Sequence, residues 1–116
     1  MNEQLLKLRF TTDSGSWTSL IRLEEKFGMC VVYSIFPNRA PVPLHQAIAV
    51  MLMNANYDLL NGGFEMDEED GEIRLRSALV LGGKADSDVL ASCLAEHIET
   101  MEHFLPIVEQ FLQKAP

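Results

Sequence analysis

The sequence predicts an α+β domain, an antiparallel sheet with two helices in the order βββαββα. Three observations predict it. Segments 6–23 and 64–81 alternate apolar and polar residues around glycine-bearing turns, segment 29–36 is apolar at both parities, and 43–60 and 86–112 repeat apolar residues at helical spacing.

Taken in order, Leu6, Leu8 and Phe10 alternate with Lys7, Arg9 and Thr11, and Asp13-Ser14-Gly15 turns the chain into Trp17, Ser19, Ile21 and Leu23. This is a β-hairpin. After Lys26-Phe27-Gly28, the run from Met29 to Phe36 predicts a central strand covered on both faces. Pro37, Pro41 and Pro43 end strand structure, and Pro43 suits the first turn of a helix that runs to about Leu60 and stops at Asn61-Gly62-Gly63. A second hairpin sets Phe64 and Met66 against Glu65 and Asp67, turns at Asp70-Gly71, and returns through Ile73, Leu75, Ser77, Leu79 and Leu81. Gly82-Gly83 closes it. The last helix begins near Asp86 or Ser87, either of which can cap it, with Asp88 favourable to its dipole.

A chain of 116 residues suits one domain, 1–116, with a core large enough to fold without metals or disulfides. Its two cysteines, Cys30 and Cys93, lie in apolar patterns far apart and suit a reducing cytoplasm. The first residues lack the basic flank and apolar core of a signal peptide, and the apolar run 47–53 is far short of the ~20 residues that span a bilayer. A soluble, cytoplasmic protein that binds no membrane is expected. The net charge of −8, from 17 acidic and 9 basic residues scattered along the chain, argues against a nucleic-acid partner. The charge either steers a basic partner or only maintains solubility.

Both helices carry surplus. Leu44, Ile48, Met51, Leu52, Ala55 and Leu59 form a core stripe on the first, yet Ala47, Ala49, Val50 and Met53 carry the apolar surface further round than one sheet covers. Ala47, Val50, Met51, Met53, Asn54 and Tyr57 are therefore the candidate dimer or partner interface. The last helix would be about 40 Å long, so it must overhang or bend, with Pro106 as the place to bend.

Four blocks, Asn54-Ala55-Asn56-Tyr57, Gly62-Gly63-Phe64-Glu65-Met66-Asp67, Asp70-Gly71-Glu72-Ile73-Arg74 and Met101-Glu102-His103-Phe104-Leu105-Pro106, resemble in order and spacing the signatures of the YbjN-like family of bacterial proteins. Gly15-Ser16-Trp17 and Tyr33-Ser34 resemble its N-terminal half, so the likeness spans nearly the whole chain. The family usually has a basic residue where Asn54 stands and an asparagine where Gly63 stands. The resemblance implies an architecture similar to type III secretion chaperones, which are small, acidic and dimeric and commonly dimerise through the mid-chain helix. Those chaperones usually begin with a helix before the first strand, and the sequence given starts almost directly in a strand, so an architecture lacking that helix is expected. The family is associated loosely with regulation of sensory transduction, without an assigned reaction, and fold similarity transfers no clients.

Chemical candidates are few. Cys93 and His97, at i and i+4, could share a metal with Glu96, but zinc needs three or four converging ligands and both lie on the apolar stripe. No metal or cofactor is expected. Glu99 and His103 suit a helix-surface pair, and His45 stands isolated. The run 67–72 lacks the spacing of a calcium loop and suits a solvated hairpin tip. Arg74 and Arg76 suit cross-hairpin pairing with Glu65 and Asp67. Trp17 is either an exposed recognition aromatic or a core residue. No triad context occurs, so no catalytic residue is assigned. The residues suit a non-enzymatic homodimer binding a segment of another protein. The alternatives are a small-ligand sensor or enzyme with a pocket between sheet and last helix containing His97 or Tyr57, and a structural subunit of a larger complex.

Overall fold

The computed structural model describes residues 3–84 and 86–113. Strands β1 (Glu3–Thr12) and β2 (Gly15–Glu24) form a long hairpin, and β3 (Met29–Ile35) follows a 3-10 turn. A second 3-10 turn, Val42–Leu44, holds Pro43 and leads into helix α1 (His45–Asp58). Strands β4 (Gly63–Met66) and β5 (Ile73–Val80) then precede helix α2 (Asp86–Leu112). The five strands form one antiparallel sheet in the order β1-β2-β3-β5-β4, with β3 in the middle.

Both helices lie on one face of this sheet, where side chains of alternate parity point: Trp17, Ser19 and Ile21 from β2, Cys30, Val32 and Ser34 from β3, and Ile73, Leu75 and Ser77 from β5 are all buried. On β3 both parities are covered, with Val31 on the helix-free side only 5% exposed, but only one of them by helices. Its other parity is shielded by arginines: the Tyr33 ring lies between the guanidinium groups of Arg22 and Arg74, 5.7 and 5.0 Å from its centroid. Apolar residues at both parities therefore reflect one helical layer and one layer of arginine stems.

Local chemistry fixes the connections. Asn56, at the end of α1, donates from Nδ2 to the Phe64 carbonyl (3.0 Å) and accepts the Phe64 N–H at Oδ1 (2.6 Å), continuing the ladder that edge strand β4 lacks on that side. The second hairpin turns through residues 67–72 rather than a tight Asp70-Gly71 pair: Gly71 N–H donates to the Asp67 carbonyl (2.7 Å), and Asp67 and Asp70 accept the Glu69 and Glu72 N–H groups. Gly71 has φ +76°, and a Cβ there would meet the Ala40 carbonyl at 2.1 Å, so the turn packs against the loop after β3. The Asp86 carboxylate reaches back to the N–H groups of Gly82 and Gly83 (3.0–3.2 Å), tying the start of α2 to the loop before it. Helix α2 runs its 27 residues through Pro106, which lies on the exposed side.

Candidate functional site

The buried core is two apolar clusters rather than one. Trp17, Phe36, Ile48, Phe64, Leu75, Met101 and Leu105 belong to one; Ile21, Cys30, Val32 and Cys93 belong to the other. Between them runs a polar seam with one member from each of four elements: Ser19 of β2, Ser34 of β3, Ser77 of β5 and His97 of α2, all buried. Strand register produces it. Ser19 pairs directly with Ser34, and Ser77 lies opposite Val32, two residues from Ser34 on the same face. One turn either side of His97, Cys93 and Met101 enter the two apolar clusters.

The seam is continuously hydrogen-bonded. Ser19 Oγ and Ser34 Oγ are 2.8 Å apart, Ser34 Oγ lies 2.8 Å from His97 Nδ1, and Ser77 Oγ lies 2.9 Å from His97 Nε2. Burial lowers the His97 pKa from 6.5 to about 4 despite the opposing pull of Glu96, so the imidazole is neutral at pH 7. One ring nitrogen then donates and the other accepts. Among the described residues the Ser19 hydroxyl has a single hydrogen-bond partner, so if it accepted, its own hydrogen would be buried and unused. The favoured direction is therefore Ser19 to Ser34 to Nδ1, with Nε2–H donating to Ser77.

This arrangement suits structure better than catalysis. A Ser–His pair acts as nucleophile and base when the imidazolium is stabilised, usually by a carboxylate on the far nitrogen. Here both nitrogens face serines, and desolvation opposes protonation. Nor does the metal reading gain support: among the described residues no three metal-ligating side chains converge, and Glu96 instead accepts from Asn61 Nδ2 at 3.2 Å. The Cys93 thiol is raised in pKa by burial, partly offset by the Ser77 hydroxyl, and burial likewise raises Cys30, so both are weak nucleophiles.

Ser77 also marks where the seam meets the surface. Two hollows of about 360 and 410 Å³ lie between α2, β5 and the 58–62 segment and share Asn61, Ser77 and Glu96. His97 lines the first and Cys93 the second. Tyr57, expected as an alternative pocket residue, is 91% exposed and lines neither hollow.

The candidate interface residues of α1 fall on its outward side, with one exception. Ala47, Val50, Met53, Asn54 and Tyr57 are exposed, whereas Met51 is half-buried and packs on the first core cluster. The helix buries Ile48, Leu52 and Ala55 inward. Leu60, beyond its end, is 98% exposed and lines the first hollow.

The remaining candidates find structural roles. Trp17 is core, stacked on Phe10 at 5.6 Å, with its indole N–H lacking a hydrogen-bond partner among the described residues. Arg74 Nε meets Glu65 at 2.5 Å as the register dictates, with Glu72 at 3.7 Å; Arg76 lies opposite Gly63, so its expected pairing with Asp67 does not form. His45 Nε2 is 2.9 Å from the Ala40 carbonyl. His103 sets its ring edge-on to Phe104 and forms no ion pair with Glu99. Cations scattered in sequence are gathered in space: Lys7, Arg9, Arg22, Arg74 and Arg76 share the helix-free face of the sheet.

One five-stranded antiparallel sheet with two helices on a single face defines a small α+β class of protein. The chain belongs to the YbjN family, described as "Putative bacterial sensory transduction regulator", whose model matches residues 3–110. No curated protein and no solved structure matches it. No helix among the described residues is long and apolar enough to cross a membrane.

Proposed function

We propose that this protein is a non-enzymatic regulatory module of the cytoplasm, built like a type III secretion chaperone, that dimerises through α1 and binds a segment of another protein. The outward face of α1 carries this reading. Val50, Met53 and Tyr57 are 49, 64 and 91% exposed, and no Asp, Glu, Lys or Arg occurs between His45 and Tyr57. Exposed apolar residues contiguous on one helix mark an interface. Ala47, Val50, Asn54 and Tyr57 follow the three-four spacing of a coiled-coil seam, and an antiparallel second copy would set small Ala47 against large Tyr57. With a net charge of −8, two copies repel over most of their surfaces and least across this neutral stripe.

Light scattering on a sizing column tests the dimer. The chain should elute at twice its mass of 13.0 kDa at micromolar concentration, and Val50→Glu should elute as a folded monomer with thermal stability changed only slightly. A monomeric parent protein would end this reading.

A second reading, a small-ligand sensor, draws on the hollows beside Ser77 and His97. It requires a metabolite that raises the melting temperature of the parent protein but not of His97→Ala. A flat response across a metabolite and metal panel would remove it.

A further inference from the structure

The helix-free face of the sheet opposes the overall charge of the molecule. Of 9 basic residues in a chain carrying 17 acidic ones, Lys7, Arg9, Arg22, Arg74 and Arg76 project from this face. Arg22 is held by Glu24 at 3.1 Å and Arg74 by Glu65 and Glu72. Lys7, Arg9 and Arg76 form no ion pair among the described residues, and Arg9 and Arg76 are exposed. Between the cations lies apolar and aromatic surface: Leu5, Leu20, Tyr33 and Ile35 line a hollow of about 420 Å³ together with Arg22, Glu72 and Arg74.

Register gives this face a spacing. Lys7 pairs with Leu20, Leu20 with Tyr33, and Tyr33 with Arg76, so one row crosses four strands in the order cation, apolar, aromatic, cation. Strands lie about 4.8 Å apart, which separates the two end positions by roughly 14 Å. An extended peptide advances about 3.3 Å per residue and returns a side chain to the same side every second residue. Carboxylates at i and i+4 are thus about 13 Å apart and point the same way as the residue at i+2 between them.

We infer that the helix-free sheet face docks an extended acidic segment of a partner protein, with two carboxylates four residues apart on Lys7 and Arg76 and an apolar side chain over Leu20 and Tyr33. This rests on the protein-binding reading and names the chemistry of the partner segment. Charge also decides against a nucleic acid. The net charge of −8 repels a long polyanion over its whole length, whereas a short segment presents only the carboxylates that this row neutralises. The row lies on the opposite side of the sheet from α1, so a dimer leaves it open.

Fluorescence anisotropy tests the inference with a labelled Gly/Ser-flanked peptide carrying Asp-Ser-Phe-Ser-Asp. The controls are the shuffled Asp-Asp-Phe-Ser-Ser and a thymidine oligonucleotide of matched length. The spaced peptide should bind about tenfold tighter than the shuffled one, and Lys7→Glu with Arg76→Glu should abolish that preference while circular dichroism stays unchanged. Equal binding of the two peptides, an unaffected double variant, or preference for the oligonucleotide would each overturn it. Val50→Glu should bind the spaced peptide like the parent. A parent protein that scatters as a dimer but binds neither peptide would remove this inference and leave the dimer standing.

Discussion

Helices α1 and α2 pack on the same face of one sheet but divide their residues differently. Helix α1 buries Ile48, Leu52 and Ala55 and turns an uncharged side outward, with Val50, Met53 and Tyr57 exposed. Helix α2 buries Cys93, His97, Met101, Leu105 and Val108 and turns outward Glu96, Glu99 and Glu102. The first withholds charged residues from its solvent-facing positions as far as Tyr57, and the second places a polar residue in the core. Each departs from simple amphipathicity: α2 where it meets the serine seam, and α1 on the face proposed above as an interface.

The largest test of that contrast compares two methionines. Met101 is wholly buried among Trp17, Phe64 and Leu105, so Met101→Ala should destabilise the fold by about 2–5 kcal/mol in urea unfolding. Met53 is 64% exposed on α1, and Met53→Ala should change monomer stability by no more than about 0.5 kcal/mol while weakening self-association. Equal losses in a monomeric background would mean that α1 is buried within its own subunit and the contrast is false.

How much of this the sequence carried follows from the range of the interactions involved. The surplus on α1 was legible because Ala47, Val50 and Met53 lie beside the Ile48-Leu52 stripe in a single helix, where spacing alone sets the face. Tyr33, Val31 and Ile35 were equally visible, but their cover was not: Arg22 and Arg74 come from neighbouring strands, and only the sheet order brings them over Tyr33. The seam was hidden for the same reason. Ser19, Ser34 and Ser77 each look like an unremarkable small residue in an alternating strand, and His97 like one more member of an apolar stripe, until register joins them. The one available signal was that all three serines occupy the apolar parity of their strands. The basic face was likewise invisible as charge along the chain and plain as charge across the sheet.

The next test concerns the cost of placing a histidine in that seam. Burial holds the His97 pKa at about 4 in the folded protein against 6.5 when exposed, so between those values the unfolded chain binds more protons. Stability from the neutral ring is fully present above pH 6.5 and is lost as pH falls toward 4, a drop of about 3 kcal/mol. Urea unfolding at pH 7.5 and 4.5 should show the drop in the parent, and His97→Gln should be less stable at pH 7.5 yet show a smaller drop. An equal pH response in the variant would assign the loss to carboxylates instead.

The smallest expected effect is the most selective, because it reports the direction of the seam rather than its existence. If Nε2 carries the hydrogen, the ring nitrogen resonances of His97 should show a protonated Nε2 and a bare Nδ1, with Ser34 donating to the latter. Ser19 then serves only as a terminal donor to Ser34, and Ser19→Ala should cost about 1 kcal/mol without altering the tautomer. A protonated Nδ1 would reverse every bond in the seam and leave the Ser19 hydroxyl hydrogen stranded at a wholly buried position, removing the reason for a serine there. The tautomer also decides what Ser77 presents to the hollows beside α2. With Nε2–H as donor, the Ser77 hydroxyl hydrogen is free to donate toward Cys93 or into that space, and with the reverse it is consumed within the core.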